Sequence, residues 1–482
     1  LGRSAPALLA AAVLVVLILV VQSLHFRDFS IDDAGITWRY ARNLADGHGL
    51  VWNPDGPRVE GYSNFLWVLV LAGSRSLGFD IEASSHVLGI LLGAVTLVTL
   101  LLVVRRFRDR GLLWWLPVIL VGLNPWWVMW LMSGLESAAF GFFLTLYVYA
   151  FGLEARRRAL WLSVAVVGLV LIRPEGAALA AIPIAALWLV PRPVGISAPL
   201  MPRLIPVIAL VATATALVVF RLWYFGYPLA NTVYAKFDSS LPSAPHVLDW
   251  LIFAAPFFVL ALVTLRQRLD IPKRRMILSA LALVILEMAI VLPVVPVMYF
   301  LHRYQIALLP LLVLAVPAGL APIHQRHPWL AYLIAVILIG WSLQGWPGVE
   351  KRLKAERYSI DRQSCIVHHL QQLSGKPTIA LIDAGRIPYW TDLPAIDAWG
   401  LCDLTIARGG FSMQTILKRQ PDVYIMSMDI VSADNMWPCL GLDQIIYVDP
   451  RFREHYTLYK ICAASKPSWE WRYDYAIFTS NK

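Results

Sequence analysis

Apolar positions in this chain come in long blocks, without the alternation or the three-to-four-residue spacing that marks half-buried elements of a soluble fold. Eleven blocks lie at 8–21, 86–104, 112–131, 134–153, 159–172, 174–190, 204–221, 250–265, 276–298, 304–321 and 328–346. Blocks near 20 residues predict helices that cross a bilayer, and the two short ones at 159–172 and 174–190 meet at Arg173-Pro174. No small-x-small cleavage site follows the first block, which therefore reads as a retained span. A further block at 65–77 is 13 residues long and carries Arg75. It reads as an interfacial or re-entrant helix inside a large first external loop, 24–85; a second external loop runs over 222–249.

From Gly348 the pattern changes. Short runs rich in β-formers at 378–382, 422–426 and 444–448 alternate with helical stretches such as 364–373. The expected fold class is a polytopic α-helical membrane protein with about 11 transmembrane helices over 1–347, followed by an extracytoplasmic α/β domain over 348–482.

Composition agrees with the pattern: 59% of the 482 residues are apolar and 15% charged, where soluble chains carry about 25% charged residues. The net charge of +10 would suit a nucleic-acid binder if it were clustered on one domain, but 25 basic and 16 acidic residues precede Gly348 against 16 and 15 after it. The excess lies between the apolar blocks, and nucleic acid is not an expected partner. Basic clusters at Arg105-Arg106-Phe107-Arg108, Arg156-Arg157-Arg158, Arg192 with Arg203, Arg266 through Arg275, and Arg326 fall at every second junction, which makes that side cytoplasmic. The N-terminus is then expected inside and the C-terminal domain outside. Cys365, Cys402, Cys439 and Cys462 all lie after Gly348, which suits an oxidising compartment and two disulfides of undetermined pairing.

The candidate chemistry sits on the external side. Asp32 and Asp33 follow the first span, and paired carboxylates at the mouth of a membrane helix must be solvated, paired or used. One of them, partly desolvated, could act as general base toward an acceptor hydroxyl while arginines hold an anionic leaving group. The competing reading is that the pair caps the helix that follows.

The segment Asp32-Asp33-Ala34-x-Ile36-Thr37-x-Arg39-Tyr40-Ala41-Arg42-Asn43-Leu44, with Gly47-His48-Gly49-Leu50-Val51-x-Asn53 and Val59-Glu60-Gly61-Tyr62-Ser63-Asn64, resembles the first periplasmic loop of GT-C glycosyltransferases that use polyprenyl-phosphate sugars. Within that superfamily it is most similar to the actinobacterial terminal β-arabinofuranosyltransferases, whose donor is decaprenylphosphoryl-arabinose. Ser133-Gly134-Leu135-Glu136, Arg173-Pro174-Glu175-Gly176, Tyr224-Phe225-Gly226 with Asn231-Thr232 and Ala235-Lys236, and His302-Arg303-Tyr304 extend the similarity. Asp383-Ala384-Gly385-x-Ile387-x-Tyr389 and Ile396-Asp397-x-x-Gly400-Leu401-x-Asp403 carry it into the tail. Gly35 departs from the pattern, standing where a larger residue is usual, and is expected to widen the site near the carboxylates.

The resemblance implies transfer of a sugar, arabinofuranose favoured, to a cell-envelope glycan, lipopolysaccharide or surface protein at the outer face of the bacterial cytoplasmic membrane. Mannose or another polyprenyl-linked sugar is the alternative, and a transporter or flippase the less favoured class. Asp32 is then the general base, and Asp33 shares that role or holds Arg39 or Arg42. Arg173, Lys236, His302 and Arg303 are candidates for the donor phosphate. Glu60 and Glu136 could bind sugar hydroxyls, and His48, Tyr62, Asn64, Glu175 and Asn231 complete the expected substrate-binding set. No cofactor is required, although Asp32 with Asp33 could hold a divalent cation. His368-His369 and the glycine pairs Gly409-Gly410 and Gly47-His48-Gly49 are discounted as metal and nucleotide sites.

Overall fold

The computed structural model describes residues 5–107, 112–189, 200–236, 243–294, 300–432, 435–463 and 473–481. Arg3, Arg108 and Arg192, the end of the 276–298 block and part of the 222–249 loop lie outside them. Each apolar block is mostly helical where described, with breaks such as those at 123–124, 134–136 and 314–315. Ile81–Phe107, Met201–Tyr224, Ala244–Leu265, Ile306–Arg326 and part of Pro328–Gln371 are long and apolar enough to cross a membrane. Leu113–Gly122 and Pro125–Leu131, bent by 55°, make a sixth if they form one broken span. The expected eleven is therefore not reached among the described residues. Ser137–Phe151 is a helix of only 15 residues, and Ala155–Ile172 and Ile271–Val291 open on arginine and lysine clusters that shorten their apolar lengths. Met201–Tyr224 buries only 11% of its apolar window and exposes Ile208, Val211, Val219 and Trp223, a face that lipid must cover. The chain is a polytopic helical membrane protein.

Phe65–Ser76 has 12 residues, or roughly 18 Å of helix against a hydrocarbon core of about 30 Å. It buries Trp67, Val68, Leu71 and Ala72 and packs on the helix Asp32–Ala45.

After the long helix Trp346–Gln371 comes a six-stranded sheet: β1 (Ile379–Leu381), β2 (Ala395–Asp397), β3 (Val423–Ser432), β4 (Asn435–Pro438), β5 (Tyr456–Cys462) and β6 (Asp474–Ser480). The order is β2-β1-β3-β6-β5, with β4 paired to β3 off this path. β1 is parallel to β2 and β3, and the β3–β6, β6–β5 and β3–β4 pairs are antiparallel. Side chains alternate across the pleat. Ala380, Tyr424, Met426, Ala476 and Phe478 pack with Ile406, Met413, Ile416, Ile446 and Phe452 on one face. Ile379, Leu381, Val423, Ile425 and Ile477 on the other join Ile366 and Leu370, and through them a core continuous with the helical bundle. The sheet is thus seated on the bundle by shared apolar packing.

The run 444–448 is a correction: it forms the end and C-cap of the helix Gly441–Tyr447. Its β-branched residues are overridden by tertiary packing, since a helical turn places Ile446 in the core, leaves Ile445 outside and buries Asp443 where Tyr424 Oη and the Ser427 N–H donate to it. The expectation of two disulfides is corrected as well. Cys365 is bonded to Cys462, joining Trp346–Gln371 to β5, while Cys402 is buried against Gly61 and Cys439 is exposed, both as free thiols. The bond closes a loop with a sequence separation of 97. Replacing Cys365 and Cys462 together by alanine is expected to destabilise the fold by about 2–4 kcal/mol, read as a lower unfolding temperature that reductant no longer changes.

Candidate active site

The helix Asp32–Ala45 begins at Ile31, which is extended (φ −100°, ψ 143°), donates its N–H to Ser133 O at 3.1 Å, and makes no side-chain cap. The carboxylates in its first turn are thus not spent on capping, and they face different partners. Asp32 Oδ1 accepts from Arg386 N–H and Gln363 Nε2, and Oδ2 from Gly385 N–H, each at 3.0 Å. All three donors come from the sheet domain or the helix leading to it. Asp33 Oδ2 pairs with Arg303 at 2.9 Å. Both carboxylates keep solvent access, with 22% of the Asp32 side chain and 25% of the Asp33 side chain exposed.

Their environments drive the two apart. Burial and the charge of Asp383 push Asp32 up to about 7, against the opposing pull of Arg386 and its backbone donors. Burial acts to raise Asp33 too, but Arg303 and Lys236 outweigh it and hold that carboxyl below its ordinary value.

Arg303 follows two non-glycine residues in the left-handed region, Leu301 (φ 46°) and His302 (φ 58°), a strained turn of the kind found at functional sites. Trp130 Nε1 fixes it by donating to Leu301 O at 2.8 Å. Lys236 ends the short helix Asn231–Lys236 and is half-buried, makes no side-chain hydrogen bond among the described residues, and lies within the fields of Asp33, Arg303, Glu136 and Arg173. Burial lowers its pKa. Arg173, in the break between Ala155–Ile172 and Gly176–Leu189, pairs with Glu136 at 2.9 Å and Glu175 at 3.4 Å. Asn64 donates to Glu136 at 2.8 Å and exchanges hydrogen bonds with Thr37, tying this network back to the Asp32–Ala45 helix. Asp33, Arg303, Lys236, Arg173, Glu136, Glu175 and Asn64 therefore form one polar cluster.

Other expected site residues lie elsewhere. Arg39 is fully buried and donates to the carbonyls of Trp52, Pro388 and Leu393, and Arg42 bonds Tyr389 O and Asp392. Neither arginine is held by Asp33; both join the first loop to the sheet domain. His48 is exposed. Glu60 is locked to Arg221 by two bonds of 2.7 and 2.9 Å, Tyr62 packs edge-on against Tyr40, and Asn231 donates to Gly400 O and Leu401 O. His302 is buried against Trp126 and Phe253, where burial pushes it down to about 4 and leaves it neutral. Gly35 does not widen the site: a Cβ there would meet the backbone of Gly385 at 2.4 Å, and one on Gly385 would meet Asp32 O at 1.8 Å. The two glycines allow the sheet domain to press its loop onto the carboxylate helix.

Sequence reasoning missed Arg386, the variable position in Asp383-Ala384-Gly385-x-Ile387. Its fully buried guanidinium donates to Gln363 Oε1 at 2.7 Å, Ser30 O at 3.0 Å and Glu356 Oε2 at 3.1 Å, and stands 3.7 Å from Asp32. Asp383 accepts from Tyr473 and Tyr475. Arg352, paired with Glu356, adds positive potential at Asp33. The signal in the sequence was the Asp-Ala-Gly turn after a strand. For a cation, the one gathering of three ligand residues among the described residues is Cys365, His369 and Cys462, where both sulfurs are taken by the disulfide. Among the described residues Asp32 and Asp33 belong to no group of three such ligands.

A protein family described as a domain of unknown function (DUF8728) matches residues 354–478. No curated protein matches. Among solved structures, ArnT from Cupriavidus metallidurans bound to undecaprenyl phosphate is similar with a TM-score of 0.64 and 14% identity over 98% of both chains. The arabinofuranosyltransferase AftD from Mycobacteria gives 0.55 and 14% identity over 99% of this chain and 40% of its own. The Archaeoglobus fulgidus oligosaccharyltransferase gives 0.50 and 11% over 97% and 74%. The likeness is one of overall fold, shared with these structures at 11–14% identity.

Proposed function

We propose that the chain is a membrane glycosyltransferase that moves a sugar from a polyprenyl phosphate to an extracytoplasmic acceptor, with Asp32 as general base. Two neighbouring carboxylates driven to opposite protonation behaviour carry the reading, because such splitting divides acid–base from electrostatic roles. The likeness to ArnT, whose structure holds undecaprenyl phosphate, supports the donor class. Residues 1–347 would form the catalytic membrane unit and 348–482 an external domain, with the N-terminus cytoplasmic, as the basic clusters favour.

In this mechanism Asp32 takes the proton of an acceptor hydroxyl as its oxygen bonds the anomeric carbon. The bond from that carbon to the phosphate oxygen breaks, and polyprenyl phosphate leaves with the electron pair. Arg303 and Lys236 stabilise the departing charge, Asp33 holds Arg303 in place, and Arg173 is fixed behind them by Glu136 and Glu175. Arabinofuranose is the favoured sugar on the first-loop motif and the likeness to AftD, and a cell-envelope glycan, lipopolysaccharide or surface protein the acceptor. Offering the purified protein a panel of polyprenyl-phosphate sugars tests the function directly: one should be consumed, and turnover of none would reject it. A base at about 7 must be unprotonated to act, so the transfer rate should rise through neutral pH and level off above it. A rate flat from pH 5 to 9 would remove Asp32 from that role.

A further inference from the structure

At the end of the bundle opposite the carboxylates, three arginines converge with no acid paired to them among the described residues. Arg158 opens the helix Ala155–Ile172, whose other end carries Arg173, roughly 22 Å away along the axis. Arg203 opens Met201–Tyr224, roughly 27 Å of helix from Arg221. Arg275 lies in the first turns of Ile271–Val291. With Leu162, Ile184 and Pro206 the three line one cleft.

Ordinary membrane-flanking arginines point to water, as Arg156, Arg157 and Arg274 do here. Arg158, Arg203 and Arg275 are each half-buried instead. Among the described residues no carboxylate pairs with any of them, whereas nearby Lys273 has Asp270 at 2.9 Å. Arg275 Nε is buried with no acceptor, and an N–H donor taken from water and left unsatisfied is costly. Three like charges around one space, with an orphaned donor among them, are complementary to an anion.

We propose that this cleft binds the phosphate headgroup of an anionic glycerophospholipid of the bilayer, with the acyl chains lying along its apolar wall. Planar guanidinium groups match phosphate oxygens through forked, charge-assisted hydrogen bonds, and basic pockets between membrane helices select anionic headgroups. The wall of Leu162, Ile184 and Pro206 favours a lipid over a soluble anion, which would leave that surface wet. The site is separate from the sugar-transfer chemistry and does not depend on it.

The test is native mass spectrometry of the full chain in detergent, titrated with phosphatidylglycerol, with zwitterionic phosphatidylcholine, and with inorganic phosphate as competitor. Phosphatidylglycerol should bind at least about tenfold more tightly than phosphatidylcholine, and the combined Arg158→Gln, Arg203→Gln, Arg275→Gln variant should lose that preference. Millimolar phosphate should leave the lipid in place. If the triple variant does not fold, Arg275→Gln alone should weaken phosphatidylglycerol several-fold, while Arg275→Lys keeps most of it. Equal binding by parent and variants would overturn the proposal. So would displacement by inorganic phosphate, which would make the cleft a soluble-anion site.

Discussion

Asp32→Asn should lower sugar transfer by about 10²–10⁴-fold while the protein still binds polyprenyl phosphate, because the change removes the proton acceptor and leaves Arg303 and Lys236 in place. The geometry makes this a discriminating substitution. An asparagine Oδ1 can still accept from Arg386 N–H and Gln363 Nε2, so two of the three bonds that orient the side chain survive. Its Nδ2 would face the Gly385 N–H, donor against donor, which costs about one hydrogen bond, or 1–3 kcal/mol of local stability. Transfer and donor binding must therefore be measured on the same folded preparation. Asp33→Asn should behave differently: it frees Arg303 from its ion pair, so its larger effect falls on KM for the donor. Near-parental transfer by Asp32→Asn would refute the base assignment whatever the behaviour of Asp33.

What was legible in the sequence follows from how local the cause is. Lipid demands apolar helices, so the blocks were visible and each is mostly helical where described. Breaks such as Leu123-Asn124-Pro125 interrupt the backbone without interrupting the hydropathy, and the span count suffered accordingly. The carboxylate pair was visible from its position after the first span. Its partners were not, because Gln363, Gly385 and Arg386 lie more than 300 residues away in sequence. Arg39 and Arg42 show why residue type alone misleads: a guanidinium that could grip a phosphate fits equally well over backbone carbonyls, and the end of the short helix Arg386–Thr391 with Leu393 supplies them. The run 444–448 failed for a similar reason, since buried Asp443 and Ile446 set a helix against local propensity.

The dependence of the carboxylate helix on the sheet domain leads to the second large effect. Arg386→Ala should destabilise the protein by about 3–5 kcal/mol, the range for removing one partner from a buried charge network. Glu356 would keep Arg352 but lose the donor to Oε2, and Gln363 Oε1 and Ser30 O would lose theirs, all at the seam between the two halves. A structural role alone would stop at a lower unfolding temperature. Arg386 also lowers the pKa of Asp32 from 3.7 Å, so its loss removes a charge that favours the carboxylate. The folded variant should then need a higher pH to reach its full transfer rate, moving the midpoint upward from about 7, and Arg386→Lys should move it less because the cation remains. An unchanged midpoint in Arg386→Ala would confine the residue to stability, whereas the paired shift in melting and pH profile would tie the sheet domain to the proton transfer itself.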